Sequence, residues 1–532
     1  MRPRGVFCKN VFFKTAIRDE RRVGLTNFSP LAPGPSRHTP TSIRMLAAWV
    51  VLAVEVTASI PRPAQYFDQL VNHFDSSSAT YRQRFYSYDG YFGGPSSPII
   101  CIIGGEGAIP PETGIFYPWI VDVVAKRLNA LVIEPEHRFY GESIPVGGAP
   151  FNASQLKLLT PDQALADAVH LIQWAQRANN CTARGTAGYC PVITIGGSYP
   201  GYLSAMMRLR YPFVVDMAYA ASAPLTMYAQ QIDQYAYYEL ITKSAERSLP
   251  GCAAALRSAF VDLLSLDLES LQNELAVCEP LPPYVEVGGL SMLQQETAMA
   301  LAITFAGLNM ENYPPTNATG LHSACAQLVA SPTAASLSKL LRGQPNLASR
   351  RRGEHLHATR ASQGCFNMSG WLPAGPHATI SSGDWSGVGT GSDGESWDFE
   401  TCTYLVEPIG MNNVTDAFPP RLWTYEWLES HCKARFGVVP QPHALVDAWG
   451  FTPEGLVAAG ASRILFTNGL NDGWSVGSVT ETLSTTLVAI NMPNGAHHSD
   501  LSHDPPSPTD TSDVTEGRAQ ALALLQQWLH LL

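Results

Sequence analysis

Short apolar segments alternate with amphipathic helical segments between residues 96 and 222. The apolar segments have the length and β-branched content of buried strands, and the helical segments repeat apolar residues every three to four positions. Alternation of this kind predicts βαβ units, and therefore an α/β fold with a mostly parallel sheet covered by helices on both faces. The predicted strands are 98–103, 130–134, 192–196 and 216–222, and the predicted helices are 118–128, 161–177 and 201–210.

The chain changes character between residues 231 and 435. Residues 256–271 and 290–308 are helical in period, and most of the remaining cysteines lie in this part, which predicts an inserted, disulfide-braced helical region. Gly, Ser and Pro are dense between residues 343 and 397, which predicts long loops there. The α/β pattern then returns, with strands predicted at 463–467 and 486–490 and a closing helix at 515–532. The predicted division is a leader at 1–58, an α/β domain formed by 59–230 and 436–532, and an insertion at 231–435.

The leader is predicted to be a basic extension followed by a signal peptide. Residues 1–44 are compatible with an organellar transit segment or with an upstream extension that is not present in the real product, for which Met45 is a plausible start. The apolar run Met45–Val54 follows, and small residues lead to a cleavage position near Ala58. Its ten residues are about half of the roughly 20 that a membrane-spanning helix requires, so no membrane span is expected. We therefore expect a protein of the secretory pathway, in the lysosome or vacuole or outside the cell.

Charge, cysteine content and glycosylation motifs agree with that compartment. The 532 residues include 34 Lys and Arg against 45 Asp and Glu, a net charge of −11 that argues against a nucleic-acid partner. Charged residues make up only 15% and apolar residues 45%, which excludes a disordered acidic chain and a coiled coil. Of ten cysteines, Cys8 lies in the leader and Cys101 in a predicted strand, which leaves an even number for disulfides. Five glycosylation sequons follow the leader, at Asn152, Asn180, Asn317, Asn367 and Asn413.

The sharpest local motif is IGGSYPG at residues 195–201, between a predicted strand and a predicted helix. This context predicts a nucleophile elbow that exposes the hydroxyl of Ser198 at the edge of the sheet. Small neighbours suit such a strained turn. Pro200 stands where a glycine is usual, and it restricts Tyr199, whose backbone amide is the expected oxyanion donor. The alternative interpretation is a glycine-rich turn with an ordinary exposed serine.

A nucleophilic serine requires a base and an acid that orients the base. In an α/β-hydrolase arrangement both follow later strands, in the order Ser, Asp, His. Asp472 follows the strand predicted at 463–467, and His497 and His498 follow the strand at 486–490. Position alone does not separate the two histidines. Either residue type in a loop is more often a solvated or turn residue, but their order after consecutive strands favours a catalytic role.

Glycines after an earlier strand supply the second expected oxyanion donor. The segment GGEG at residues 104–107 allows the amide of Gly105 to approach a substrate carbonyl. As a nucleotide-binding loop it fails, because it lacks the Lys-Ser ending and is too short for the dinucleotide pattern. No paired His-x-x-x-His or Cys-x-x-Cys motif occurs, so neither a metal nor a cofactor is expected. The charged segment EHRFYGES at 136–143 is predicted to form buried ion pairs and aromatic contacts that shape the site.

Eight segments together carry a family resemblance that covers nearly the whole mature chain. They resemble the serine peptidase family that contains lysosomal Pro-X carboxypeptidase, dipeptidyl peptidase II and thymus-specific serine protease. The segments are QYFDQLVNHF at 65–74, GGEG at 104–107, EHRFYGESIP at 136–145, GGSYPG at 196–201, TCT at 401–403, NNVTD at 412–416, NGLNDGW at 468–474 and GAHHSDL at 495–501.

The resemblance implies an α/β-hydrolase fold with an inserted helical cap. It implies Ser198 as nucleophile, Asp472 as orienting acid and His497, rather than its neighbour, as base. It further implies disulfides Cys252–Cys325, Cys278–Cys365 and Cys402–Cys432, after which we expect Cys181 to pair with Cys190. A homodimer is also suggested by the family.

The function implied is that of a serine exopeptidase that cleaves peptides next to proline through an acyl-enzyme, as a Pro-X carboxypeptidase does. Alternatives are a dipeptidyl aminopeptidase of the same family and an esterase or lipase on the same scaffold. A catalytically inactive binding protein is a further alternative, because Pro200 and Gly473 replace the small residue and the proline that the family has beside the triad. Asn312 also stands where an aspartate is frequent in the family, within the helical region.

Overall fold

The computed structural model describes most of the chain that follows the predicted leader. The leader, the Asn367 sequon and the cysteines Cys278 and Cys365 lie outside the described residues, so the predictions made for them remain predictions. The described residues are 63–77, 79–111, 114–115, 117–149, 151–275, 281–342, 392–502 and 507–532.

Eight strands form one sheet in the order β1-β2-β4-β3-β5-β6-β7-β8. The pairs β1–β2 and β2–β4 are antiparallel and all the others are parallel. The mostly parallel sheet with helices confirms the predicted α/β class, and its arrangement is that of an α/β-hydrolase. The strands are Gln65–Leu70 (β1), Thr80–Tyr88 (β2), Ile99–Ile102 (β3), Leu131–Pro135 (β4), Val192–Gly197 (β5), Met217–Ala221 (β6), Ile464–Gly469 (β7) and Leu487–Met492 (β8).

The sheet separates two hydrophobic cores. Strands β3 to β7 are buried along their whole length, as expected for parallel strands covered on both faces. In β3, Ile99 and Cys101 contribute to one core and Ile100 and Ile102 to the other, because successive side chains point to opposite faces. Both cores exclude water from the centre of the sheet.

Helices cover the sheet, and further helices lie in the described parts of the segment between β6 and β7. The helix that begins at Pro161 is capped by Thr160, whose hydroxyl accepts from the amide of Gln163 at 3.3 Å. The helical elements are Ile120–Ala125 (a π-helical turn), Lys126–Leu128, Ala153–Leu156, Pro161–Ala178, Tyr199–Arg210, Leu225–Tyr228, Ala236–Ser248, Cys252–Ser265, Leu268–Leu275, Pro282–Met310, Gly320–Ala330, Ala334–Arg342, Ser392–Thr401, Tyr425–Phe436, Ala444–Trp449, Pro453–Ala458, Gly473–Gly477 (a 3-10 helix), Ser499–Ser502 and Ser512–Leu529.

Two predicted segments are corrected by the structure. The single helix predicted at 256–271 is two helices, because Asp267 interrupts it and its carboxylate accepts from the amide of Ser270 at 2.8 Å, as a helix cap does. The loops predicted at 343–397 end earlier, since a helix begins at Ser392 and buries Trp397 and Phe399. Residues 343–391 lie outside the described part.

The helices between β6 and β7 have a hydrophobic core of their own. Helices Ala236–Ser248, Cys252–Ser265, Pro282–Met310 and Gly320–Ala330 all contribute to it. The disulfide Cys252–Cys325 joins two of these helices. Cys402–Cys432 and Cys181–Cys190 are also formed, and all three are pairs expected from the sequence, while Cys101 is a buried free thiol. None of the described helices combines the length and apolar composition required to cross a bilayer.

Candidate active site

Ser198 occupies the sharp turn between β5 and the helix Tyr199–Arg210. Its backbone has φ 64° and ψ −133°, a conformation that residues with a side chain seldom adopt. The Ser198 amide donates to the carbonyl of Ala221 at 2.8 Å, which fixes the turn to the end of β6. A strained strand-to-helix turn of this kind is the geometry of a nucleophile elbow.

The glycines around Ser198 are required by close backbone contacts. A Cβ atom on Gly196 would lie 2.3 Å from the carbonyl carbon of Pro200. One on Gly201 would lie 2.8 Å from the carbonyl oxygen of Ala221. Both neighbours are main-chain atoms, which cannot rotate away as a side chain can, so these two positions have to be glycine.

Pro200 fits the elbow and brings the glycine loop after β3 against it. It lies in the first turn of its helix, where backbone amides have no partner within the helix, so its missing N–H leaves the helix intact. Its ring packs on Gly105, where a Cβ atom would lie 2.5 Å from Pro200 Cγ. The two segments expected to supply oxyanion donors, Gly105 and Tyr199, are therefore adjacent to the same proline.

Asp472 and His497 are in direct contact. His497 Nδ1 lies 2.6 Å from Asp472 Oδ2, and both side chains are buried. The other carboxylate oxygen, Asp472 Oδ1, accepts from the amide of Trp474 at 3.1 Å, which holds the carboxylate at the start of the 3-10 helix. The carboxylate thus orients the imidazole through Nδ1 and leaves Nε2 for proton transfer.

The two adjacent histidines have different partners. The amide of His498 donates to Ser222 Oγ at 2.9 Å. Its ring packs on the residue before the elbow serine, since a Cβ atom on Gly197 would lie 2.7 Å from His498 Cγ. The histidine loop therefore lies directly beside the elbow, with His497 toward the acid and His498 against the turn.

A buried network anchors the histidine loop to the sheet. The hydroxyl groups of Tyr219 in β6 and Thr467 in β7 both donate to Asp500 Oδ2 at 2.6 Å. Arg518 donates from Nε to the carbonyl of Asp500 at 2.9 Å and from Nη2 to that of Ser499 at 3.1 Å. The position of the loop is therefore set by two strands and by the closing helix.

The segment 136–143 forms the buried ion pairs expected of it. Glu136 Oε1 accepts from Arg84 at 2.5 Å, and Arg138 binds both carboxylate oxygens of Asp167, at 2.6 and 2.7 Å. Burial opposes ionisation of Asp167, but Arg138 and His73 hold its pKa below the usual value. The network ties β1 and β2 to the loop after β4 and stabilises the edge of the sheet that carries the site.

A buried glutamate from the helical region contacts the residue after the elbow serine. Glu400 accepts from the hydroxyl of Tyr199 at 2.8 Å and from that of Tyr140 at 2.6 Å, and His137 Nε2 lies 3.2 Å from the Tyr199 hydroxyl. Burial raises the pKa of Glu400 to about 8, against the lowering effect of the two tyrosines, and Glu106 raises it further. Burial likewise lowers the pKa of His137 to about 4.

Glu400 was not among the residues selected from the sequence. The only available signal was its place beside the TCT segment at 401–403, which the family resemblance includes. Asn309, at the end of the helix Pro282–Met310, was also missed, and it contacts the residues on both sides of Asp472. Nothing in the local pattern of that helix marks this asparagine as different from other polar residues.

The described residues contain one group of side chains with metal-ligand spacing, Asp398, Cys402 and His431. The sulfur of Cys402 is bonded to Cys432, so it is not a thiolate and cannot serve as a ligand. Asp398 is also engaged by His431 at 3.0 Å and by Arg435 at 2.8 Å. The group is therefore a buried ion-pair cluster beside a disulfide.

Four of the five sequons lie in the described residues. Asn152, Asn180 and Asn317 are exposed and accessible to a glycosyl transferase. Asn413 is half-buried, and its side-chain oxygen accepts from Arg257 Nε at 2.8 Å.

Comparison with known proteins gives a consistent result. A family model described as serine carboxypeptidase S28 matches residues 69–521. The chain is 33% identical over 482 residues to lysosomal Pro-X carboxypeptidase of Mus musculus, with 87% of this chain and 88% of the relative covered. It is 30% identical over 481 residues to the Homo sapiens protein of the same name, with the same two shares covered. It is 28% identical over 487 residues to thymus-specific serine protease of Homo sapiens, with 89% of this chain and 88% of the relative covered.

Proposed function

Because the chain belongs to the serine carboxypeptidase S28 family and is a serine-type peptidase, we propose that Ser198, Asp472 and His497 are its catalytic triad. The observation that carries the proposal is the 2.6 Å contact between His497 Nδ1 and Asp472, in a loop that lies against the strained Ser198 turn. The order Ser, Asp, His along the chain is the order of an α/β-hydrolase triad.

The proposed reaction passes through an acyl-enzyme. Ser198 Oγ attacks the carbonyl carbon of the scissile peptide bond while His497 Nε2 accepts its proton. The backbone amides of Tyr199 and Gly105 stabilise the oxyanion. His497 then donates the proton to the leaving amine as the carbon–nitrogen bond breaks. Water next attacks the acyl carbon while His497 accepts its proton, and His497 returns that proton to Ser198 Oγ as the ester bond breaks and the acid product leaves. Asp472 orients the imidazole and stabilises the imidazolium each time it forms.

We propose that the substrates are peptides with proline on the acyl side of the scissile bond, and that the product is a released C-terminal residue. The proposal follows the names of the relatives, which are Pro-X carboxypeptidases. The helices between residues 231 and 435 are proposed to form a cap on the α/β domain of 59–230 and 436–532. Contacts of Asn309 and Glu400 with the triad loops and with Tyr199 support that arrangement.

The experiment compares two substrates on the purified, glycosylated enzyme. One is an N-blocked peptide that ends in Pro-Phe, and the other is a dipeptide amide with a free amino group and proline in second position. Cleavage of the first with release of phenylalanine supports the carboxypeptidase. Cleavage of the second alone rejects it in favour of a dipeptidyl aminopeptidase. Cleavage of short acyl esters with neither peptide cleaved would indicate an esterase.

We also propose that the mature protein is a glycosylated resident of a lysosome-like compartment or of the extracellular space, and that it forms a homodimer. Three disulfides, three exposed sequons and the lysosomal relatives support the compartment. Mass spectrometry of the purified protein, for its N-terminus and glycans, and light scattering, for its mass in solution, test the two statements separately.

A further inference from the structure

The side chain of Asn309 holds the acid loop on both sides of Asp472. Asn309 Nδ2 donates to the carbonyl of Asn471 at 2.9 Å, and Asn309 Oδ1 accepts from the amide of Gly473 at 2.9 Å. Asn309 is fully buried, and a single planar amide therefore fixes the residue before and the residue after the acid. Neither contact is required by the helix Pro282–Met310 itself, because both use the side chain.

The next residue of the same helix holds the base loop. The carbonyl of Met310 accepts from the amide of His497 at 3.2 Å. The sulfur of Met310 also accepts from Trp474 Nε1 at 3.1 Å. Two consecutive residues at one helix end therefore contact both loops that carry the Asp472–His497 pair, although those loops follow different strands.

The two residues that Asn309 contacts differ in whether they have other hydrogen-bond partners. The Asn471 carbonyl has a second donor, Ser244 Oγ at 2.9 Å, and Arg247 donates to the Asn471 side chain at 2.6 Å. The Asn471 side of the loop therefore stays attached without Asn309. Gly473 N–H, in contrast, is buried and has Asn309 as its acceptor, so removal of the Asn309 side chain leaves a buried donor unsatisfied directly after Asp472.

The hydrogen bond from Gly473 N–H to Asn309 is possible because this chain has glycine at position 473. The resemblance places a proline at this position, and proline has no N–H to donate. In this protein the glycine both supplies the donor and fits the space, since a Cβ atom there would lie 2.9 Å from Tyr237 Cε2 and 3.0 Å from Ile241 Cγ1. Where the family has proline, this chain has a glycine whose N–H donates a hydrogen bond to Asn309 in the helical region.

We propose that Asn309 is a positioning residue that holds Asp472 in register with His497, so that docking of the helix end at Asn309 and Met310 is a condition for a productive triad. The proposal rests on the proposed triad and adds to it a specific partner from the helical region. Small displacements of catalytic groups have large effects on rate, on the order of 100-fold for about 1 Å.

The test uses the variants N309A and G473P, each with a matched control. T304V removes a polar group from the same helix, where Thr304 Oγ1 donates only to Ala300 O at 2.8 Å. G473A adds the Cβ atom but keeps the N–H. Active sites are titrated with a fluorophosphonate, so that kcat refers to folded, reactive enzyme, and kcat and KM are measured with the N-blocked Pro-Phe peptide.

We expect N309A and G473P to lower kcat by about 10- to 100-fold, with KM changed by less than about 2-fold. T304V should retain the wild-type kcat, and G473A should lose clearly less than G473P. The loss of kcat in the double variant N309A/G473P should not exceed that of the single variant with the larger loss, because both substitutions remove the same hydrogen bond.

Three results would overturn the inference: wild-type kcat in N309A, equal losses in G473A and G473P, or additive losses in the double variant. If N309A does not fold, the comparison of G473P with G473A decides alone. Failure of the triad itself is recognised separately, because S198A would then retain activity whatever Asn309 does.

Discussion

The hydroxyl of Tyr199 donates a 2.8 Å hydrogen bond to Glu400, a residue 201 positions further along the chain. Tyr199 follows the elbow serine and is the proposed source of one oxyanion amide. Glu400 belongs to the helix Ser392–Thr401, outside the sheet. The residue after the elbow serine is therefore held by a carboxyl group from the helical region. A change in the protonation of Glu400 changes the group that Tyr199 contacts.

The raised pKa of Glu400 predicts a pH-dependent stability. Its value of about 8 in the folded protein exceeds the ordinary 4.5, so the folded form binds the proton more tightly than the unfolded chain. The resulting stabilisation is complete below about pH 4.5 and is lost as the pH rises through about 8. In E400Q, the fall in unfolding free energy over this range should be shallower by up to about 1.4 kcal/mol per pH unit.

Urea unfolding at several pH values between 5 and 8 measures this slope. E516Q, which changes an exposed glutamate in the same way, should keep the wild-type slope. Parallel pH profiles for wild type and E400Q would contradict the prediction.

The proposed triad predicts losses of different size for its members. S198A should reduce kcat by about 10⁶-fold, and D472N by about 10⁴-fold, because the amide no longer holds the imidazole in the correct tautomer. Both variants should bind the N-blocked Pro-Phe peptide with affinity close to that of the wild type. Steady-state kinetics and equilibrium binding measure the two effects, and a D472N enzyme with full activity would exclude Asp472 as the acid.

The packing of Pro200 on Gly105 predicts a rescue. In G105A the new Cβ atom would overlap Pro200 Cγ, at 2.5 Å, and displace the glycine loop from the elbow. Loss of one oxyanion donor costs about 10²- to 10³-fold in kcat. In G105A/P200A the overlapping ring atoms are absent, so kcat should recover at least about 10-fold relative to G105A. An unchanged kcat in the double variant would show that the loss has another cause.

The buried Arg138–Asp167 pair predicts a large loss of stability on removal of one partner. D167N leaves the Arg138 guanidinium buried without its charge partner, which should lower the unfolding free energy by about 3–5 kcal/mol. The matched change D68N removes the partner of Arg82 in an exposed pair, where the loss should be under about 1 kcal/mol. Chemical denaturation compares the two variants, and equal losses would contradict the prediction.

The sheet and the elbow could be predicted from the sequence because each depends on local residues. Buried parallel strands are short apolar runs, and the turn at Ser198 accepts only glycine at Gly196 and Gly201. The sequence by itself did not distinguish His497 from His498, since both follow β8 and their directions depend on the loop backbone, where His498 has φ 33°. Only the family resemblance distinguished them.

Asn309 and Glu400 could not be predicted in the same way. Their partners lie 162 and 201 positions away along the chain, and their contacts depend on how the helices pack on the sheet. Each is a single polar residue within a helix, and a single residue makes no repeating pattern that the sequence could reveal. The role of such residues can be identified only from the tertiary structure, which shows the buried polar atoms with which they form hydrogen bonds.

The pairing of β6 with β7 has a consequence for biosynthesis. Strand β6 ends at Ala221 and its neighbour β7 begins at Ile464, so the ribosome completes the serine turn long before it makes the acid and the base. A nascent chain translated only as far as the helices contains Ser198 but neither Asp472 nor His497, the acid and the base proposed for it. The proposed triad is therefore complete only once translation has passed His497.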